Sequence, residues 1–247
     1  MRSYPYVTGT SVLAVKYADG VMMASDTLGA QIERRCASDD TSRGSHPRRP
    51  GAYGATKRYK SVERMRPVGG NALIGASGEV SDFAYILTLL DELATSDVCA
   101  DDGHAMQPAE LYAYLTRVMY NRRNKLDPLW NSLVVAGVGR DGSSFLGMVN
   151  MIGTHYTDAH VATGFGAQLA RPLFREKHRE DMTAAEARAL LEEALRVCYY
   201  RDKNSINKFQ IATVTKDGAS VSAPFALYTE WSLKAYENPS GVVVGTW

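Results

Sequence analysis

Apolar and polar positions along the chain alternate, cluster and alternate again. Residues 10–17 form a β-rich run, Ala18-Asp19-Gly20 supplies turn chemistry and residues 21–25 form a second run, which predicts a hairpin. Residues 59–68 read as extended, Gly69-Gly70-Asn71 as a turn and residues 72–76 as a short buried strand. Two helices follow. Over residues 81–95, Phe83, Ile86, Leu87, Leu90 and Leu93 recur at three- and four-residue spacing, and residues 108–124 open on Pro108 and carry Leu111, Leu115, Val118 and Met119 on one side. Residues 132–138 and 143–150 predict a hairpin closed by Gly139-Arg140-Asp141-Gly142. Residues 160–163 predict a strand that runs into Gly164-Phe165-Gly166 and a short helix. Thr183 and Glu186 form a capping box for a helix faced by Ala187, Leu190, Leu191, Ala194, Leu195 and Cys198. Strands at 209–215 and 219–222 precede a tail that runs to Trp247.

The order is strands, two helices, strands, two helices, strands. Each helix pair has one apolar face and needs a sheet to cover. Two packed sheets with helix pairs outside satisfy both requirements, so the expected fold is α+β, a four-layer αββα sandwich. No repeat of solenoid period interrupts it.

Residues 30–50 have a different character, with five arginines, several serines and aspartates, and almost no large apolar side chain. Such a stretch buries too little surface to offset its ordering entropy, so a solvated insertion is expected there. The chain of 247 residues is long enough to bury a substantial core, and 45% hydrophobic and 22% charged residues are ordinary for a globular protein. A net charge of +1 gives no reason to expect nucleic acid or an anionic membrane as the main partner. No apolar run approaches a membrane span, and the first residues lack a signal-peptide core. Cys36, Cys99 and Cys198 are scattered and suit free thiols in a cytosolic or nuclear compartment. Asp97, Asp101, Asp102 and His104 read as a solvated acidic loop, and His155 and His160 as packed or surface histidines, so neither a metal nor a cofactor is expected. Arg122, Arg123 and Lys125 suit the negative end of a helix dipole.

Several motifs carry a resemblance that covers nearly the whole chain. Thr10 opens the first strand and Asp26 closes the second; Gly75-Ala76-Ser77-Gly78 followed by Asp82, Ala162-Thr163-Gly164-Phe165-Gly166-Ala167 and Tyr199-Tyr200-Arg201-Asp202 come in order. Longer stretches are Val7-Thr8-Gly9-Thr10-Ser11-Val12, Arg117 to Arg123, Asp127-Pro128-Leu129-Trp130-Asn131, Ser144-Phe145-Leu146-Gly147 and Phe209 to Val214. The chain resembles a proteasome β-subunit, of the N-terminal nucleophile hydrolase family, and among these the member at the seventh position of the β-ring. The segment from Ala30 to Pro50 departs from that member, whose pattern runs almost directly from Leu28-Gly29 to Gly51-Ala52-Tyr53.

In active members an N-terminal threonine hydroxyl attacks a peptide carbonyl, while its own amine or a neighbouring lysine handles the proton. The resemblance places Thr10 at the nucleophile, Gly9 before the bond that is cut, Asp26 and Asp202 on the acids, Ser205 on a serine and Gly78 on the oxyanion-hole residue. Two positions differ. Arg64 stands where the lysine belongs, and a guanidinium with a pKa above about 12 accepts no proton near neutrality. Phe165 stands where the turn carries a serine. Lys60 restores a lysine only if the register shifts by four residues. While Gly9 is attached, the nitrogen of Thr10 is an amide. The residues therefore read as a vestigial site.

The resemblance implies a non-catalytic subunit of the 20S core particle that serves β-ring assembly and the joining of half-particles in ATP- and ubiquitin-dependent degradation. Its partners would be the sixth and first β-positions, α-ring subunits and, through the tail 231–247, the opposite β-ring. The expected division is an extension over 1–9, the β-type domain over 10–230 and that tail, whose Val242, Val243, Val244 and Trp247 suit strand addition to a partner. Two other readings stand beside it: an active threonine peptidase with Thr10 as nucleophile once residues 1–9 are removed, and a free-standing binding domain.

Overall fold

The computed structural model describes residues 6–34, 52–100 and 106–232. Two antiparallel sheets face each other. The larger is assembled from β1 (Tyr6–Gly9), β4 (Gly29–Arg34), β5 (Ala52–Tyr59), β6 (Met65–Val68), β7 (Ala72–Glu79), β8 (Asn131–Val138), β9 (Ser144–Val149) and β10 (His155–Thr157). Its order is β10-β9-β8-β7-β1-β4-β5, with β6 also paired to β7. The smaller holds β2 (Val12–Tyr17), β3 (Gly20–Asp26), β11 (His160–Ala162), β12 (Phe209–Thr215) and β13 (Gly218–Val221) in the order β11-β2-β3-β12-β13.

Side-chain alternation sorts each strand between two layers. Val12, Ala14, Met23, Leu73, Val134, Ala136, Ala212 and Val214 face the space between the sheets. Their neighbours one residue away turn outward. Leu13, Val15, Phe209 and Ile211 meet α3 (Gly166–Leu169), α4 (Arg171–Lys177) and α5 (Ala184–Arg201). Ile74, Ala76, Leu133 and Val135 meet α1 (Val80–Ala100) and α2 (Pro108–Asn124). The expected αββα sandwich is the observed one.

The helices begin where their chemistry says. Thr183 accepts the Glu186 amide at 3.3 Å while the Glu186 carboxylate takes the Thr183 amide at 2.8 Å. Two expectations in the first third need correction. Residues 30–34 belong to strand β4, not to a solvated insertion, because β1 and β5 flank them and Ala30 is buried. The remainder, 35–51, lies outside the described residues. The extended stretch expected over 59–68 is two strands, β5 ending at Tyr59 and β6 starting at Met65, with an irregular link between them. Helix α1 also runs on to Ala100, so Asp97 is helical rather than in a loop. Asp101, Asp102, His104, Cys36 and the tail beyond residue 232 fall outside the described residues.

Candidate active site: an arginine in the lysine's place

Thr10, expected to open the first strand, belongs to no strand. It lies in the crossing between β1, in the larger sheet, and β2, in the smaller one. The residues before it are built into the fold: Thr8 pairs with Ala30 on one side and Glu79 on the other, and Gly9 pairs with Gly78. The Glu79 carboxylate also accepts the Val7 amide at 3.4 Å and the Asp82 amide at 2.7 Å, tying the segment to the start of α1.

Asp26 and Arg64 form the centre of the site, and both are almost sealed, at 4% and 2% exposure. Asp26 ends β3 and Arg64 immediately precedes β6, so two sheets bring them together. The Arg64 guanidinium contacts the Asp26 carboxylate directly. It donates further bonds to the Asp26 carbonyl at 2.8 and 3.0 Å and to the Ser11 carbonyl at 3.2 Å. Burial pushes the Asp26 carboxyl above the usual range, opposed by Arg64 and by the Ile206 amide. Burial likewise lowers Arg64, opposed by Asp26 and Asp202. Each partner neutralises the other, which offsets part of the cost of burying both charges, while Asp26 Oδ2 and Arg64 Nη1 find no hydrogen-bond partner among the described residues.

Thr10 touches this pair at its edge, where its hydroxyl donates to Asp26 Oδ1 at 3.4 Å. Gly9 is needed for the same geometry. A Cβ there would sit 2.3 Å from Arg64 Cδ and 2.8 Å from Nη1, so the guanidinium lies in the space that any other residue's side chain would fill. Gly78 has φ +99°, and its Cβ would strike the Trp130 carbonyl at 2.1 Å, which explains a glycine at this point without reference to chemistry.

Other residues predicted for the site are close but perform structural work. Asp202 accepts the Asn204 amide at 2.8 Å, and its carbonyl accepts the Ser205 hydroxyl at 2.8 Å, so both close the turn after α5. Phe165 extends outward, 55% exposed, beside Gly164, which approaches the Thr10 carbonyl. Lys60 is exposed, and its carbonyl is held by the Thr27 hydroxyl at 3.1 Å. Arg64, not Lys60, is the residue that meets Asp26. Three supporting residues escaped the sequence reading. Ser11 accepts the Gly166 amide at 2.8 Å, Thr163 accepts the Val12 amide at 3.0 Å, and Lys57 donates to the Ser205 carbonyl at 2.7 Å. Nearness in sequence to Thr10 and to Phe165 was the available signal for the first two. His155 packs edge-on to Tyr112, and His160 packs against Phe174 and His178. Asp97 takes the Met106 amide at 3.1 Å, a structural use.

Comparison with protein families matches residues 52–214 to the family described as proteasome subunit. The chain belongs to the proteasome subunit family. The proteasome subunit beta type-4 of Arabidopsis thaliana is 49% identical to it over 244 residues, covering 99% of this chain and 90% of that relative. The beta type-4 subunit of Xenopus laevis is 39% identical over 231 residues, covering 93% and 86%. The beta type-7 subunit of Saccharomyces cerevisiae is 39% identical over 222 residues, covering 86% and 75%. This proteasome β-subunit is thus a component of a protein-degrading complex and assembles with other proteasome subunits. Beside Thr10 and Asp26 this chain holds the buried, paired guanidinium of Arg64.

Proposed function

We propose that this chain is a non-catalytic β-subunit whose work is structural: completing a β-ring and joining two half-particles. The observation that carries the reading is Arg64. A guanidinium locked to Asp26 and to two backbone carbonyls cannot take the proton of the Thr10 hydroxyl. The same group would be needed to remove Gly9, so its loss disables maturation and turnover together. The pairing of β1 with β4 and β7 supports this from the other side, since it builds the residues just before Thr10 into the larger sheet. Neighbours at the sixth and first β-positions, contact with the α-ring and reach of the tail 231–247 to the opposite ring are part of the same proposal. The free thiols of Cys99 and Cys198 agree with a cytoplasmic and nuclear setting.

The test is the intact mass of this chain from purified native particles treated with an electrophile that captures an N-terminal threonine. The expected result is an unmodified chain that still carries residues before Thr10. A chain beginning at Thr10 with the adduct attached would establish the active peptidase instead, and would make Lys57 and Lys60 the groups to examine.

A further inference from the structure

The link between α2 and β8 holds a residue that is wrong for its backbone. Helix α2 closes with the Leu126 amide donating to the Arg123 carbonyl at 3.0 Å and the Asp127 amide to the Arg122 carbonyl at 3.0 Å. That closure sets Leu126 at φ 58°, the left-handed region where glycine is the usual occupant and a leucine Cβ crowds its own backbone. Among the described residues it is the one non-glycine with positive φ. The side chain gains nothing in return, being 93% exposed. Leu126 thus strains the backbone and presents apolar surface, and among the described residues no burial of its side chain offsets either cost.

The same corner carries Trp130, 54% exposed on a backbone pinned at both groups. Its amide donates to Asp82 Oδ2 at 2.8 Å and its carbonyl accepts the Glu79 amide at 2.9 Å. Arg122 stiffens the frame by pairing with Asp127 at 2.9 Å and lying over the Tyr85 ring at 5.5 Å. Arg123 and Lys125 stand exposed beside Leu126 and form no ion pair among the described residues. A rigidly presented tryptophan and an arginine are side chains that binding hot spots favour, and the strained aliphatic knob and a second cation stand beside them.

We propose that this corner docks a neighbouring subunit of the particle, and that the partner presents a shallow apolar pocket edged with carboxylates. The proposal rests on the chain acting as an assembled subunit. In the test, full-length wild-type chain and a variant, carrying different tags, are expressed together with the partner subunits. Their ratio in the assembled particle is then measured by mass spectrometry. Leu126→Gly removes the knob and relieves the left-handed strain, so the melting temperature of the full chain holds or rises by about 2 °C. Its share of the particles nevertheless falls on the order of tenfold. Trp130→Ala acts in the same direction. Arg123→Glu with Lys125→Glu slows incorporation, an effect that shrinks as salt rises. Equal shares of Leu126→Gly and wild type overturn the proposal, as does a Leu126→Gly chain that melts lower, because the residue would then serve its own fold. A photo-cross-linker placed at position 126 that captures a second copy of this chain overturns it too. Wild-type chain absent from particles of any kind defeats the assembly reading itself, a result distinct from a variant-specific loss.

Discussion

Between the two sheets, Val12, Met23, Leu73, Val134 and Val214 pack without a polar atom among their side chains. Beside Thr10, Asp26, Arg64, Ser11 and Asp202 are buried too, yet they are held by hydrogen bonds and an ion pair, with Asp26 Oδ2, Arg64 Nη1 and Asp202 Oδ2 left without a partner among the described residues. The first region is stabilised by area and shape, so many apolar side chains of similar volume satisfy it. The second is stabilised by matching, so loss of one partner leaves the other with an uncompensated charge or a vacant donor. A working threonine hydrolase needs a site that exchanges a proton at every turnover. The Arg64 guanidinium here is held to Asp26 and to the Ser11 carbonyl.

Removing one partner should show the contrast most strongly. Arg64→Ala leaves the Asp26 carboxylate buried and alone, with an expected loss of about 3–5 kcal/mol in urea unfolding. Replacing both, as Arg64→Met with Asp26→Leu, should recover most of that loss, whereas an additive result would mean the two do not act as a pair. In the apolar region Leu73→Ala should cost about 2–4 kcal/mol, and Leu73→Met less than about 1.5 kcal/mol, since volume is what matters there. Gly9→Ala tests the polar site sterically. The added methyl meets Arg64, so about 1–3 kcal/mol is expected, and the penalty should shrink in an Arg64→Ala background. The smallest effect concerns Cys198, whose thiol burial pushes up from 9.0 to about 12, with Asp202 and Asp26 adding to the shift. Its neutral form favours the fold below pH 9, and that contribution fades as pH climbs towards 12. At pH 8 a maleimide should therefore label the exposed Cys99 and leave Cys198 untouched in the folded chain.

Much of this was legible in the chain. Helix α2 begins and ends at the residues its pattern predicts, because Pro108 suits a first turn and Leu111, Leu115 and Met119 mark one face. The hairpin of β8 and β9 announces itself through Gly139 to Gly142. Strands β4 and β5 were hidden for an opposite reason. Gly29–Arg34 and Ala52–Tyr59 hold few β-branched residues and no clean alternation, so their pairing comes from neighbours distant in sequence. The ion pair of Arg64 and Asp26 could be anticipated as a substitution, but its three further bonds to backbone carbonyls depend on how two sheets meet. Nothing local in Lys125-Leu126-Asp127 signals a left-handed leucine.

The position of β1 has a consequence for how such a chain would age in the presence of exopeptidases. It is an interior strand, and it is the only link in the described hydrogen-bond order between β4-β5 and the rest of the larger sheet. Digestion proceeding inward from the amino end would meet Tyr6 and have to extract a strand flanked on both sides. From Tyr6 on, removal would require local unfolding of the sheet and not merely access to a chain end.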